Sequence, residues 1–260
     1  LLEKNKRPGL KILISGGGRC NLTTTKCGSD LEAQYGKRRG RWLRHALRAF
    51  PPSALIELIE TLGVPLQEED LDKIFPVSGR AGDVLDALIR RTESEAVEIV
   101  YEASMQGLTL GEDGFDLQLE GRSMQASRVI LATGGLSYPK TGTTGDGYRV
   151  CAALGHSIVE PHPALAPLWI EEPWVRELAG LTLTDVILTL RASDRRVLCV
   201  RQRPVLFTHK GLSGPGAMDL AGDIEQSEGS TTVELDFVPG LTREQIDQEL
   251  LEAARSHGRR

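Results

Sequence analysis

LLEKNKRPGLKILISGGGRCN, residues 1–21, decides the fold. Leu1-Leu2-Glu3 reads as the end of a buried strand that finishes on an acid. In a dinucleotide-binding βαβ unit, such an acid lies about 20 residues beyond a Gly-rich turn and accepts hydrogen bonds from the adenosine ribose. Glu3 leaves no room for that turn, so the chain is expected to open at the second strand of the unit. On this expectation the first strand, the phosphate-cradling glycines and their helix N-terminus fall outside the sequence.

At 260 residues and 40% hydrophobic content, the chain can bury a sizeable core and fits one large domain or two ordinary ones. No run approaches the roughly 18 apolar residues of a membrane span, and no signal peptide is visible. Cys20, Cys27, Cys151 and Cys199 are scattered and form no CxxC, which predicts reduced thiols in a cytoplasmic protein rather than a disulfide framework. His45, His156, His162, His209 and His257 never fall at metal-ligand spacing, and no metal is expected. The net charge of −5 gives no general pull toward nucleic acid. One local exception is Lys37–Arg48, KRRGRWLRHALR, with six Lys/Arg in twelve residues. Such a run is usually a solvated helix face, yet Trp42 and His45 among cations make the mixture that grips phosphates and stacks a base.

Residues 4–30, rich in Gly, Lys, Thr and Asn, read as an ordered loop over a site. Helical periodicity follows in RWLRHALRAF (41–50), in PSALIELIETLG (52–63) with Pro52 and Ser53 at its start and Gly63 at its end, and in Asp83–Ala96. AVEIVYEASMQGLTL (96–110), GFDLQLEG (114–121) and SRVILATGG (127–135) have strand character. The run Arg128–Ala132 is expected to be a parallel strand that leads into a ligand loop. Asp146–Leu154 is predicted to be a helix stopped by Gly155, and Pro161, Pro163, Pro167 and Pro173 then mark a boundary. Between residues 180 and 238, LTLTDVILTL, RVLCV, PVLFT and TTVELDFV alternate as in a small barrel or sandwich. LTREQIDQELLEAARSHGRR opens a helix with a Thr-x-x-Gln start and runs to the last residue, which is read as a second cut. The expected division is 1–160, 161–240 and the start of a helical segment at 241–260.

Several stretches carry chemistry. Three successive glycines, Gly16, Gly17 and Gly18, let a backbone approach a flat ring system at an entropic cost that a plain turn avoids. Reading the same segment as a phosphate loop fails on spacing, because Asn21 stands where a third glycine is needed. Cys20 has a redox or proton-donating reading, beside the commoner one of a small packing cysteine. Thr133-Gly134-Gly135 delivers small residues past which a cofactor can run. Gly145-Asp146-Gly147 either aims helix N–H groups at a ligand or is an Asp N-cap between glycines. Gly211-Leu212-Ser213-Gly214-Pro215 misses the hydrolase elbow, since Pro215 replaces its last glycine. In the same stretch His209 is either a proton donor or a structural histidine.

LLEKNKRPGLKILISGGGRCN, IFPVSGRAGDVLDAL (74–88), ILATGGLSYPKTGTTGDGYRVCAALGH (130–156) and LFTHKGLSGPGAMDLA (206–221) together resemble the YhiN/BaiN-type flavoproteins. That resemblance implies an α/β fold, with an FAD/NAD(P)-binding Rossmann-like domain lacking its first strand and an inserted β-barrel-like domain. It implies FAD as cofactor, NAD(P)H as reductant and reduction of a conjugated C=C bond. One branch of the family is reported to act on a uridine of ribosomal RNA, another on steroid-type small molecules. The alternatives are an RNA-binding flavoprotein acting on rRNA and a non-catalytic RNA-binding module. By resemblance, Glu3 holds the ribose and Met105 offers its backbone to the adenine edge. Lys11, Ser15, Gly16, Gly17, Gly18, Arg19, Cys20, Asn21, Thr133, Gly134, Gly135, Gly145, Asp146 and Gly147 line the cofactor, and Cys20 and His209 are the catalytic candidates. Valine at Gly17 or Gly134 is expected to exclude the flavin while leaving the apoprotein folded.

Overall fold

Residues 4–30 fold into short elements instead of one loop. LKILI is helix α1 (Leu10–Ile14), followed by a tight turn over Ser15–Gly18, strand β1 (Thr23–Thr24) and helix α2 (Gly28–Gln34). The computed structural model describes residues 1–257, apart from the side chains of Lys37, Arg38 and His257. The chain divides into two compact units, Leu1–Ile158 and Val159–Arg260.

In the first unit α2 pairs with α3 (Lys37–Ala49), which begins four residues before the expected helix. Gly40 is buried at their contact, and a Cβ there would sit 2.1 Å from the Glu32 carbonyl oxygen. Arg44 Nε donates to both carboxylate oxygens of buried Glu32, at 3.0 and 2.9 Å, and Arg48 Nε lies 3.8 Å away. The Arg44 hydrogen bond holds the Glu32 carboxyl below its ordinary range. Helix α4 (Pro52–Thr61) has Pro52 at its first position, where a missing N–H costs nothing, and Gly63 follows its end. Next come β2 (Leu66–Glu69), β3 (Lys73–Pro76) and α5 (Ala81–Ser94). Strand β3 is central in an antiparallel sheet ordered β1-β3-β2. Cys20, Ile59, Val64, Ala81, Val84 and Ala87 form the core beneath it.

Strands β4 (Met105–Leu110), β5 (Phe115–Leu119) and β6 (Arg122–Ala126) make an antiparallel meander, and α6 (Asp146–Ala153) follows. Leu108 and Leu117, opposite each other in register, join Val150 of α6 in a second core. Two strand expectations are corrected here. Leu1-Leu2-Glu3 is not a buried strand: Leu1 is exposed, Leu2 is half-buried, and the segment makes one parallel bridge, Leu2 to Val100. Arg128–Ala132 is not a strand among the described residues, and Ile130 is 92% exposed. A β-rich run becomes a strand only where a neighbouring backbone accepts its hydrogen bonds, and no described segment pairs with this one.

The second unit contains β7 (Leu168–Trp169), α7 (Pro173–Glu177), β8 (Thr182–Leu183), β9 (Ile187–Ala192), β10 (Val197–Gln202), β11 (Val205–Thr208), β12 (Gly211–Ser213), α8 (Gly214–Met218), α9 (Ala221–Glu225), β13 (Thr231–Asp236) and α10 (Arg243–His257). Inward positions alternate, as the two-residue strand period requires: Leu188 and Leu190 on β9, Val205 and Phe207 on β11. Each such side chain contributes about 1.5–3 kcal/mol through burial. The expected barrel is replaced by two open antiparallel sheets, ordered β7-β12-β11-β8 and β10-β9-β13. Neither closes on itself. The Thr-x-x-Gln start of α10 is a capping box: Thr242 N–H donates to Gln245 Oε1 at 2.7 Å, and Gln245 N–H to Thr242 Oγ1 at 3.3 Å.

Candidate functional site

The first unit draws the N-terminal segment and the loop from Thr133 to Gly147 together. Glu3 N–H donates to the Val100 carbonyl at 2.9 Å, and the Glu3 carbonyl accepts from Ala103 N–H at the same distance. The Glu3 carboxylate is held at one oxygen: its Oε1 accepts from Asn5 N–H at 2.8 Å and Asn5 Nδ2 at 2.9 Å. Asn5 Nδ2 also donates to the Thr141 carbonyl at 3.2 Å. Lys4 Nζ donates to Thr144 Oγ1 at 2.7 Å and to Asp146 Oδ2 at 2.6 Å. Lys11, on α1, donates to the Ser137 carbonyl at 2.5 Å and lies 5.1 Å from the centre of the Tyr138 ring. Lys4, Asn5 and Lys11 therefore clamp one loop at three points.

The Gly-rich turn follows from its sequence. Gly16, Gly17 and Gly18 have φ of 56°, 69° and 88°, the left-handed region that other residues enter only at a cost. Arg19 N–H donates to the Gly16 carbonyl at 3.4 Å and Cys20 N–H to the Ser15 carbonyl at 2.9 Å, closing the turn. A Cβ at Gly16 would sit 2.7 Å from Asn21 N and 2.9 Å from the Phe75 ring. One at Gly17 would meet nothing within 4 Å. The peptide at Gly17 is thus bare and exposed on a turn whose other side is packed. Arg19 pins the turn, stacking 4.5 Å from the centre of the Phe75 ring and pairing with Glu69.

Cys20, one of the two catalytic candidates, lies in a core. Its side chain is 4% exposed within the core of Ile59 and Val84, and burial pushes its thiol up. An activated thiol is exposed and has a lowered pKa; Cys20 is buried and shifted the other way.

The second loop is equally tight. A Cβ at Gly134 (φ 72°) would lie 2.7 Å from Thr143 Cγ2, and one at Gly147 would lie 2.5 Å from Thr133 Oγ1. Gly145 N–H donates to the Gly135 carbonyl at 3.2 Å, folding the loop over the start of α6. Gly145, not Asp146, occupies the N-cap, and Asp146 is the first helical residue. The Asp146 carboxyl is held below its ordinary range, first by the Lys4 hydrogen bond and then by those of Arg149 and Thr144, against the opposing effect of burial. Arg149 also donates to the Gln106 carbonyl at 2.7 Å and the Met105 carbonyl at 3.4 Å. The Met105 carbonyl, on the backbone expected to face adenine, thus accepts a guanidinium. Lys4, Asn5, Thr144 and Arg149 escaped sequence reading because their partners are distant in the chain and no local motif marks them.

In the second unit, exposed His209 and Lys210 form the turn between β11 and β12. Thr208 Oγ1 donates to the Gly211 carbonyl at 3.0 Å and accepts from Lys210 N–H at 3.3 Å, which fixes the turn. Among the described residues of the chain, no group of three or more His, Cys, Asp or Glu side chains is arranged to hold a metal ion, and no helix is long and apolar enough to cross a membrane.

A family model described as HI0933-like protein Rossmann domain matches residues 1–258. The chain belongs to the HI0933-like family. This is the family of the YhiN/BaiN-type FAD-dependent oxidoreductases that its four motifs resemble. The HI0933-like chain is 29% identical over 221 residues to a ribosomal RNA dihydrouridine synthase of Escherichia coli, covering 85% of this chain and 54% of that protein. It is 26% identical over 264 residues to a protein of the same name from Haemophilus influenzae, covering 98% and 61%. It is also 28% identical over 249 residues to a 3-dehydro-bile acid delta(4,6)-reductase of Clostridium scindens, covering 95% and 59%. The HI0933-like chain therefore spans 54–61% of the length of these relatives.

Proposed function

We propose that this chain is part of an FAD-dependent oxidoreductase that reduces a conjugated C=C bond, with NAD(P)H as the electron donor. The observation that carries this reading is the bare, left-handed peptide at Gly17 on a turn that Arg19, Phe75 and Asn21 hold from behind. A flat ring can lie directly on such a backbone, and a Cβ would take the space it needs. Gly16–Gly18 would hold the ring edge, while the loop at Thr133–Gly135 and the first turn of α6 would carry the chain beyond it. Asn5 engages Oε1 of Glu3, and Oε2 is the acceptor offered to a ribose hydroxyl. When bound and reduced by the nicotinamide, the flavin would supply the hydride that adds to the double bond.

The names of the relatives support the reaction class. One relative is named a ribosomal RNA dihydrouridine synthase and another a 3-dehydro-bile acid delta(4,6)-reductase, and saturation of a C=C bond beside a carbonyl is a chemistry that both names fit. The second hydrogen arrives as a proton from an acid on the protein.

The test is the absorbance spectrum of the intact purified protein, followed by anaerobic addition of NADH or NADPH. The expected result is a flavin spectrum that bleaches with one nicotinamide, and release of FAD on denaturation. Colourless protein that takes up no FAD, or release of FMN alone, overturns the reading.

A further inference from the structure

Helix α3 is packed with its apolar side outward. It meets the protein through Gly40, buried against α2, and through Arg44 and Arg48, which close on buried Glu32, with Leu47 half-buried beside them. At about 100° per residue, these four lie between about 140° and 240° round the axis from Trp42. Ala49, Trp42, Ala46, Phe50 and Leu43 stand at about −20°, 0°, 40°, 80° and 100°, one arc on the outward side. All five are exposed, Trp42 to 83%. A surface helix ordinarily turns its apolar stripe to the core; this one turns it away.

The arc is edged by basic side chains. Exposed Arg39 stands within it, at about 60°, at its N-terminal end, and exposed His45 and Arg41 flank it at about −60° and −100°. Between Lys37 and Phe50 there is no acid. Charge and shape together select the occupant. A second copy would set this face against itself, cation to cation, with no acid on either helix to pair. A protein groove has walls that embrace a helix, and α2 already holds the back of this one. A flat apolar surface bearing negative charge meets neither obstacle. Trp, Phe and Leu on one side of a helix with arginines beside them is the composition of a helix that lies in a membrane interface. The aliphatic stem of Arg39 can rest along the apolar arc while its guanidinium reaches the phosphates.

We propose that α3 lies on an anionic phospholipid surface, with Trp42, Leu43, Ala46 and Phe50 at the acyl boundary and Arg39 and Arg41 on headgroup phosphates. The helix rests in the surface and does not cross it. Arg44 and Arg48 serve the fold, which explains why a helix so rich in cations keeps few of them for lipid. The inference stands apart from the flavin chemistry and holds whichever substrate the protein reduces.

The test is co-sedimentation of the intact protein with vesicles of phosphatidylcholine alone and with about one-third phosphatidylserine. Wild type should bind the phosphatidylserine vesicles, release from them as salt rises, and leave phosphatidylcholine vesicles nearly bare. Trp42→Ala should weaken binding about ten-fold, while Trp42→Phe retains most of it. Arg39→Ala with Arg41→Ala should weaken it about thirty-fold, near five-fold for each cation. Arg90→Ala with Arg122→Ala, both exposed, changes the net charge equally and should bind as wild type. The proposal is overturned if the intact protein ignores phosphatidylserine, if Trp42→Ala binds within about two-fold of wild type, or if the control pair loses as much as the α3 pair. It is overturned equally if Trp42→Ala leaves vesicle binding alone and instead splits a dimer or weakens binding of single-stranded RNA, since the face then serves a second copy or a nucleic acid.

Discussion

Lys4 and Asp146, 142 positions apart in the chain, meet at 2.6 Å between ammonium and carboxylate. Asp146 also takes Arg149 at 3.3 Å, and Arg149 reaches the Gln106 carbonyl on β4. One continuous set of polar contacts thus runs from the N-terminal segment through the first turn of α6 to the β4–β6 meander. It sets the Glu3 carboxylate and the Thr133–Gly147 loop in one place.

Asp146→Asn should lower stability at pH 7 by about 1 kcal/mol, because the pair is partly exposed and solvent screens it. The native carboxyl is held below its ordinary range. Its stabilisation is therefore complete above the unfolded value of about 4 and fades as the pH falls through the lower native value. Urea unfolding of wild type and variant from pH 7 to pH 3 checks this. The two curves should converge on acidification, and a constant gap would contradict the assignment.

Gly40→Ala should loosen the α2–α3 pair, since its methyl would stand 2.1 Å from the Glu32 carbonyl oxygen and the helices must part to admit it. A cost of about 2 kcal/mol is expected for such overpacking. Faster hydrogen exchange confined to the amides of α2 and α3 is the readout. Unchanged protection there would mean that the contact is already mobile.

Legibility followed the range of the interactions. Helix α4 could be read from Pro52 to Gly63 and α10 from Thr242 and Gln245 because their signals lie within one or two turns. The β9 and β11 strands were readable because alternation matches a sheet with one buried face. Arg128–Ala132 was misread because strand formation depends on a partner that the run itself does not encode. Leu10–Ile14 reads as part of a loop because five residues carry too little periodicity to mark a helix. At the candidate site, the glycines announced their turns, whereas Lys4, Asn5 and Arg149 could be found only in three dimensions.

The cysteines should react in an order set by burial. Cys27 is exposed, Cys20 is buried, and Cys199 is pushed up to about 11 by burial first and then by the nearby Asp223 carboxylate. At pH 8 about one Cys199 thiol in a thousand is ionised. Alkylation of the native protein at that pH, followed by mass spectrometry, should label Cys27 first and leave Cys20 and Cys199 unmodified until unfolding. Early labelling of Cys20 would instead support its candidacy as a reactive thiol.

Gly17 and Gly134 should behave differently, although sequence alone treats them alike. Both have positive φ, so any side chain costs about 1–2 kcal/mol in backbone strain. At Gly17 that strain is the whole penalty within the apoprotein, because a Cβ there meets nothing within 4 Å. Gly17→Ala should therefore fold, with its melting temperature lowered by a few degrees, and fail to take up FAD. At Gly134 a Cβ would also lie 2.7 Å from Thr143 Cγ2. Thr143 donates to the Ser137 carbonyl, so it cannot turn aside without releasing that end of the loop. Gly134→Val should consequently disturb the apoprotein itself, unlike Gly17→Ala. Thr143→Ser keeps the hydroxyl and removes the obstructing methyl, so Gly134→Ala with Thr143→Ser should be more stable than Gly134→Ala alone. Thermal melts of the four apoproteins, with FAD uptake measured beside them, decide the matter. A Gly17→Ala protein that loads fully with FAD would remove the ring from this turn, whatever the second loop does.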